Sequence, residues 1–154
     1  MRIATGDAHD HDPSCLYPGH VDGRPLRRLG RRPGKIAYQR LGGYDAIAAV
    51  TDEFIGRLAS DEQEKRFFIG FSTDSKTRIR QLIVDLICKS TGGPCVYSGR
   101  DMKTAHAGAG ITKSDWDRTL KIFGEVLNKF KVPEKEQKEL AALLAPLEKD
   151  IVDK

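Results

Sequence analysis

The sequence predicts an all-α domain over residues 38–154, preceded by an extension, residues 1–37, that is disordered, basic and rich in Gly and Pro. Three observations carry the fold class. Four segments repeat apolar residues at spacings of three and four, the period of a helix with one buried face. Capping residues, glycines and prolines punctuate those segments at their ends. No segment alternates apolar with polar residues as a half-buried strand would.

Leu41-Gly42-Gly43 reads as a short turn. Ile47, Val50, Phe54 and Leu58, with Ile55 beside Phe54, then predict a helix over about 44–59. Phe67-Phe68 falls in a short polar connection, where two exposed phenylalanines would be costly unless they reach into a pocket. Thr73-Asp74-Ser75 is a helix-start signal, and Ile79, Leu82, Ile83, Leu86 and Ile87 share one face through to about Ser90. Gly92-Gly93-Pro94 stops that helix. A loop over 95–101 leads to a helical turn from Met102 to Ala107, broken by Gly108 and Gly110. Thr112-Lys113-Ser114-Asp115 resembles a capping box with Asp in place of the commoner Glu. It opens a helix striped by Trp116, Leu120, Phe123, Leu127 and Phe130. Pro133 opens the last helix, with Leu140, Leu143, Leu144, Leu147 and Ile151 on one face and Pro146 expected to kink it.

Length and composition agree with one such domain. The chain has 154 residues, 39% hydrophobic and 31% charged, enough to bury a core without a structural metal. The net charge of +4 is uneven: residues 1–37 hold seven Lys/Arg against four Asp. Five glycines and four prolines there leave too little apolar surface to offset ordering entropy. Arg24, Arg27, Arg28, Arg31 and Arg32 form a basic patch without interleaved aromatics, so no nucleic-acid partner is expected. No apolar run reaches the roughly 18 residues of a membrane span, and the N-terminus has no stretch of secretory type. Cys15, Cys88 and Cys95, an odd number without a CxxC pairing, read as free thiols in a reducing compartment, hence a cytoplasmic protein. Asp7, His9, Asp10, His11 and Asp12 could bind a metal, but in a flexible tail they read as solvated charges.

Only one of the four histidines, His106, lies in the helical part. It ends Met102-Lys103-Thr104-Ala105-His106 and is surrounded by Ala105, Ala107, Gly108, Ala109 and Gly110, small residues that would let a flat, bulky group approach the backbone. A single neutral imidazole suffices for axial iron ligation. By itself, a lone histidine on a short helix is more often a satisfied core or surface residue. Phosphate-loop, dinucleotide-binding and classical nucleophile signatures are absent from the sequence.

The ordered set Tyr38-Gln39-Arg40-Leu41-Gly42-Gly43, Phe54, Phe67-Phe68, Gly92-Gly93-Pro94, Tyr97-Ser98-Gly99 and Met102-Lys103-x-x-His106-x-x-x-Gly110-Ile111 resembles the truncated haemoglobins, most nearly group I. The resemblance covers roughly residues 38–152. It implies a two-over-two helical sandwich holding haem b, with His106 as the proximal iron ligand. It also implies Phe68 on the haem face, Phe54 lining the pocket, and Met102, Ile111 and Trp116 at the porphyrin edge. Ile87 and Tyr97 fall among the same cofactor-lining positions, and Lys103 and Arg78 are candidate propionate partners. A tryptophan marking groups II and III would fall at Thr119.

Where many group I members carry a pocket tyrosine, this chain has Ile55. Two registers exist for the distal helix. Counting back from Gly92-Gly93 puts Ile79 and Ile83 over the iron; anchoring on the segment's glutamine puts Gln81 there. At about 100° per residue Gln81 lies near 200° from Ile79, away from the apolar stripe, which favours the first register. The resemblance then implies reversible binding of O₂, CO or NO at a five-coordinate iron in an apolar pocket. O₂ should be held weakly and CO bound readily, because no hydrogen-bond donor faces bound O₂. A haem-free globin-like interaction module, and an NO dioxygenase served by a separate reductase, are the alternatives. Catalytic residues are not assigned.

Overall fold

A computed structural model of the chain describes residues 35–153. The Asp7–Asp12 cluster, the arginine patch and Cys15 lie outside the described residues, so expectations placed on them stay as they were. Among the described residues every regular element is helical, and none is long and apolar enough to cross a membrane.

Seven helices follow in order: α1 Ala37–Arg40, α2 Gly43–Ser60, α3 Thr73–Ser90, α4 Met102–His106, α5 Lys113–Lys129, α6 Glu134–Leu144 and α7 Glu148–Ile151. Two short 3-10 turns intervene, Lys65–Phe68 and Ala145–Leu147. Helix α2 packs against both α3 and α5, and α4 packs against α7. The four long helices match those expected, and their ends obey the expected chemistry. Thr112 accepts from the Asp115 amide while the Asp115 carboxylate accepts from the Thr112 amide, a complete capping box. The cap of α3 is Ser72, whose hydroxyl accepts from the Ser75 amide at 3.2 Å, one residue before the expected start. The kink at Pro146 is a break into a 3-10 turn between α6 and α7. Helix α1 is an addition: four residues are too few to show a period, and its place is set by Tyr38 donating its amide to the Thr91 carbonyl at 2.9 Å.

The core has two patches. Ile47, Ala48, Val84 and Cys88 form one; Phe123, Leu127 and Leu140 form the other, and Ile87 packs against both. Helix α3 contributes its two fully buried residues, Val84 and Cys88, from a face the sequence stripe does not contain. On a wheel of about 100° per residue they sit near 140° and 180° from Ile79, beside Gln81. The expected stripe of Ile79, Leu82, Ile83 and Leu86 is only half-buried. Thr51, at 1% exposure, is a buried polar residue inside the α2 stripe, satisfied by donating its hydroxyl to the Ile47 carbonyl at 2.8 Å.

The expectation of free thiols is overturned for two of the three cysteines, for Cys88 and Cys95 form a disulfide. Gly92-Gly93-Pro94 turns the chain back after α3, bringing the two Cα atoms to 5.8 Å across a separation of seven residues. The odd total misled because the third cysteine is remote in sequence. Gly93 is required by crowding: a Cβ there would lie 2.6 Å from both Cys88 Sγ and the Tyr38 ring.

Candidate functional site

His106 closes α4, a five-residue helix capped by Asp101, which accepts the Thr104 amide at 2.9 Å and the Thr104 hydroxyl at 2.8 Å. These bonds hold Asp101 below the usual carboxylate range. The imidazole is half-buried, and its Nδ1 lies 2.9 Å from the Met102 carbonyl oxygen one turn back. A carbonyl can only accept, so Nδ1 carries a proton, and in the neutral tautomer this fixes Nε2 presents a lone pair. Among the described residues Nε2 has no hydrogen-bond partner. One ring nitrogen fixed by a backbone carbonyl, the other free, is the arrangement in which histidine ligates metals.

The segment after His106 is also held. The Gly110 amide donates to Asp153 Oδ2 at 2.7 Å, and the Asp153 amide donates to the Ile111 carbonyl at 2.8 Å. With α4 packed on α7, the C-terminal segment braces the helix that carries the histidine. Gly108 and Gly110 have φ of +76° and +68°, and a Cβ at either would meet nothing within 4 Å. Both glycines thus adopt the left-handed turn that ends α4, and the space beside them is free of other atoms of this chain.

The remaining expected residues divide by environment. Phe54 packs into the core, edge-on to Phe123 with centroids 5.1 Å apart. Ile87 is likewise a core residue. Ile55, Phe68, Ile79, Ile83, Tyr97, Met102 and Ile111 are half-buried, although most are large and apolar. Phe68 lies edge-on to the exposed Phe71 at 6.5 Å. Tyr97 donates its hydroxyl to the Arg100 carbonyl at 2.7 Å; burial, with the nearby Asp101 charge, pushes its phenol up. Lys103 and Arg78 are exposed. Trp116 is buried at 5% exposure, and its indole N–H has no partner among the described residues.

Gln81 is engaged elsewhere. Its amide nitrogen donates to the Tyr44 hydroxyl and to Asp85 Oδ1, both at 2.9 Å, on the side of α3 that meets α2. A narrow crevice lined by Ile47, Val50, Phe123 and Leu140 has a volume of about 20 Å³, room for about one water, and is a packing gap of the core.

A polar cluster the sequence did not announce as a site lies beside Phe67-Phe68. Asp115, at 2% exposure, accepts from Gln63 at 2.8 Å and Arg66 at 2.6 Å besides its capping bonds. Burial pushes its carboxyl up, but the bonds from Gln63 and Thr112 and the Arg66 charge outweigh this and hold it down at about 2. Glu64, at 3% exposure, has one carboxylate oxygen without a partner; burial and the Asp115 charge push it up. The legible signal was Asp115 at the third position of the cap.

These residues fit a flat apolar cofactor with one axial ligand. Among the described residues one imidazole nitrogen of His106 has no partner, and large apolar side chains such as Phe68, Ile79 and Ile83 stay half-exposed despite a formed core elsewhere.

A family model described as bacterial-like globin matches residues 36–153. The group 1 truncated hemoglobin of Mycolicibacterium paratuberculosis is 32% identical over 126 residues, 82% of this chain and 90% of that protein. The group 1 truncated hemoglobin of Tetrahymena pyriformis is 27% identical over 117 residues, 76% of this chain and 94% of its own. The crystal structure of the Tetrahymena pyriformis protein in its Fe(III) form superposes with a TM-score of 0.71, covering 78% of this chain and 100% of that one. The 2/2 hemoglobin of Synechococcus, at 23% identity and a TM-score of 0.70 over 78% of this chain and 100% of its own, shares the fold.

Proposed function

The chain belongs to the bacterial-like globin family, within the group 1 truncated haemoglobins, and from that premise we propose that it binds haem b through His106 and reversibly takes up diatomic gases in an apolar pocket. The observation that carries this reading is the Nδ1–Met102 carbonyl bond, which orients the imidazole and leaves Nε2 free to ligate. Bound haem would supply an iron able to take up O₂, CO or NO. The chain supplies everything else.

His106 holds the proximal side, with its helix braced by Asp153 through Gly110 and Ile111. Phe68 and Met102 offer apolar contact to a flat ring, and exposed Lys103 and Arg78 can pair with its carboxylates. Ile55, Ile79 and Ile83 line the distal side and carry no hydrogen-bond donor. They exclude water and favour the less polar ligand, so CO is bound readily and O₂ released quickly. The Gln81 amide, which could have donated, is committed to Tyr44 and Asp85. None of Ile55, Ile79 and Ile83 is a His or Lys, so none of the three would compete with a gas for the iron that bound haem would supply.

The test is hemin titration of the purified chain beside His106→Ala, followed by reduction and CO addition. The wild type should give a sharp Soret band that moves with CO. His106→Ala should bind hemin more weakly and recover an axial ligand from added imidazole. A colourless wild type, or equal binding by the variant, refutes the proposal.

A further inference from the structure

We propose that Arg66, gripped between the buried carboxylate of Asp115 and the face of Phe67, is the positioning residue that holds the Phe67–Phe68 turn against the haem. The inference rests on the haem reading above. Asp115 accepts four hydrogen bonds, two more than its cap requires. The Thr112 amide at 2.8 Å and hydroxyl at 2.7 Å serve the start of α5. The other two come from Gln63 and Arg66, in and just before the 3-10 turn, at 2.8 and 2.6 Å. One carboxylate thus ties the phenylalanine turn to the helix that carries Trp116.

Arg66 completes the tie. Its guanidinium carbon lies 4.7 Å from the Phe67 ring centroid, a cation–π contact made while its NH2 group donates to Asp115. The turn is four residues of 3-10 helix packed on α2, and Glu64, which precedes it, gives no side-chain cap. Asp61 anchors the approach and the first residue of the turn: its carboxylate accepts the amides of Gln63 and Glu64 and pairs with Arg118, and its carbonyl accepts the Lys65 amide at 2.9 Å. Downstream, Ile69 is exposed, and the exposed Phe71 lies edge-on to Phe68 with centroids 6.5 Å apart. Asp61, Glu64 and Asp115 face one another here, and Arg66 and Arg118 supply the balancing positive charge. Removing Arg66 leaves Asp115 and Glu64 opposed and frees Phe67.

The full chain loaded with hemin tests this through Arg66→Gln, Arg66→Lys and, as a control on the cap alone, Thr112→Ala. Arg66 is half-exposed, so its replacement leaves folding intact. Haem transfer to excess apomyoglobin should run about three- to tenfold faster in Arg66→Gln. Arg66→Lys should recover part of the loss, since an ammonium still pairs with Asp115 but cannot lie flat on Phe67. Thr112→Ala should lower the urea midpoint yet release haem at the wild-type rate. Equal acceleration by Thr112→Ala, or no acceleration in Arg66→Gln, overturns the proposal. Amide exchange across residues 67–71 reads the clamp without haem: faster exchange in Arg66→Gln supports it and unchanged exchange overturns it. A wild type that takes up no hemin refutes the haem reading separately.

Discussion

Opening the Cys88–Cys95 bridge tests how the structure is tied between α3 and the loop that leads to His106. The bridge closes a ring of about eight residues, for which chain entropy gives roughly 2.5 kcal/mol at 25 °C. Reduction should add little to that loss from packing. Cys88 is fully buried against Ile47, Ala48 and Val84, and a thiol there behaves as a small hydrophobe with no charge to desolvate. A loss of this size in a domain of about 120 residues lowers Tm by on the order of 10 °C. The assay is guanidinium unfolding followed by circular dichroism, with and without dithiothreitol, and with Cys95→Ser as the permanently open form. Alkylation before reduction checks that the bridge is present. Labelling of both cysteines in the untreated protein would refute the pairing. Coincident midpoints with the bridge intact would refute the entropic reasoning.

Three further outcomes are expected. Asp115 has its pKa lowered from 3.8 to about 2, so its contribution to stability is complete above about pH 4 and disappears as pH falls towards 2; Asp115→Asn should flatten the denaturant midpoint across that window. Glu64 is shifted the other way, so its contribution is present at acid pH and lost as pH rises through its elevated pKa; Glu64→Gln should raise the midpoint at neutral pH and not at pH 4, and no gain at neutral pH would contradict the shift. Ile55→Tyr supplies a distal donor and should slow O₂ dissociation about ten- to a hundredfold by stopped flow, whereas Gln81→Leu, which breaks only the bonds to Tyr44 and Asp85, should leave it unchanged; a tenfold change in Gln81→Leu would put that amide in the pocket instead.

The long helices and their ends were legible because their determinants are local. A period of three and four in α2 and α5, Thr112 with Asp115, and Pro146 act within a few residues of chain, and each appears where the sequence put it. The family followed from the order and spacing of motifs such as Gly92-Gly93-Pro94 and Met102 through His106.

Helix α3 shows where that reading stops. Its sequence shows apolar residues on more than one face, and periodicity does not say which face meets α2. Val84 and Cys88 fill the core while Ile79 and Ile83 stay half-open, a choice made by what packs against each side. The Cys88–Cys95 bridge, the bond from Gly110 to Asp153 across 43 residues and that from Arg66 to Asp115 across 49 have the same origin. By itself the sequence determined the helices, the family and the candidate iron ligand, because a helix period and a cap are short-range properties. Which face of a helix is core, which carboxylate holds which turn and which thiols meet were decided only by the tertiary structure, because each depends on surfaces that distant segments bring together.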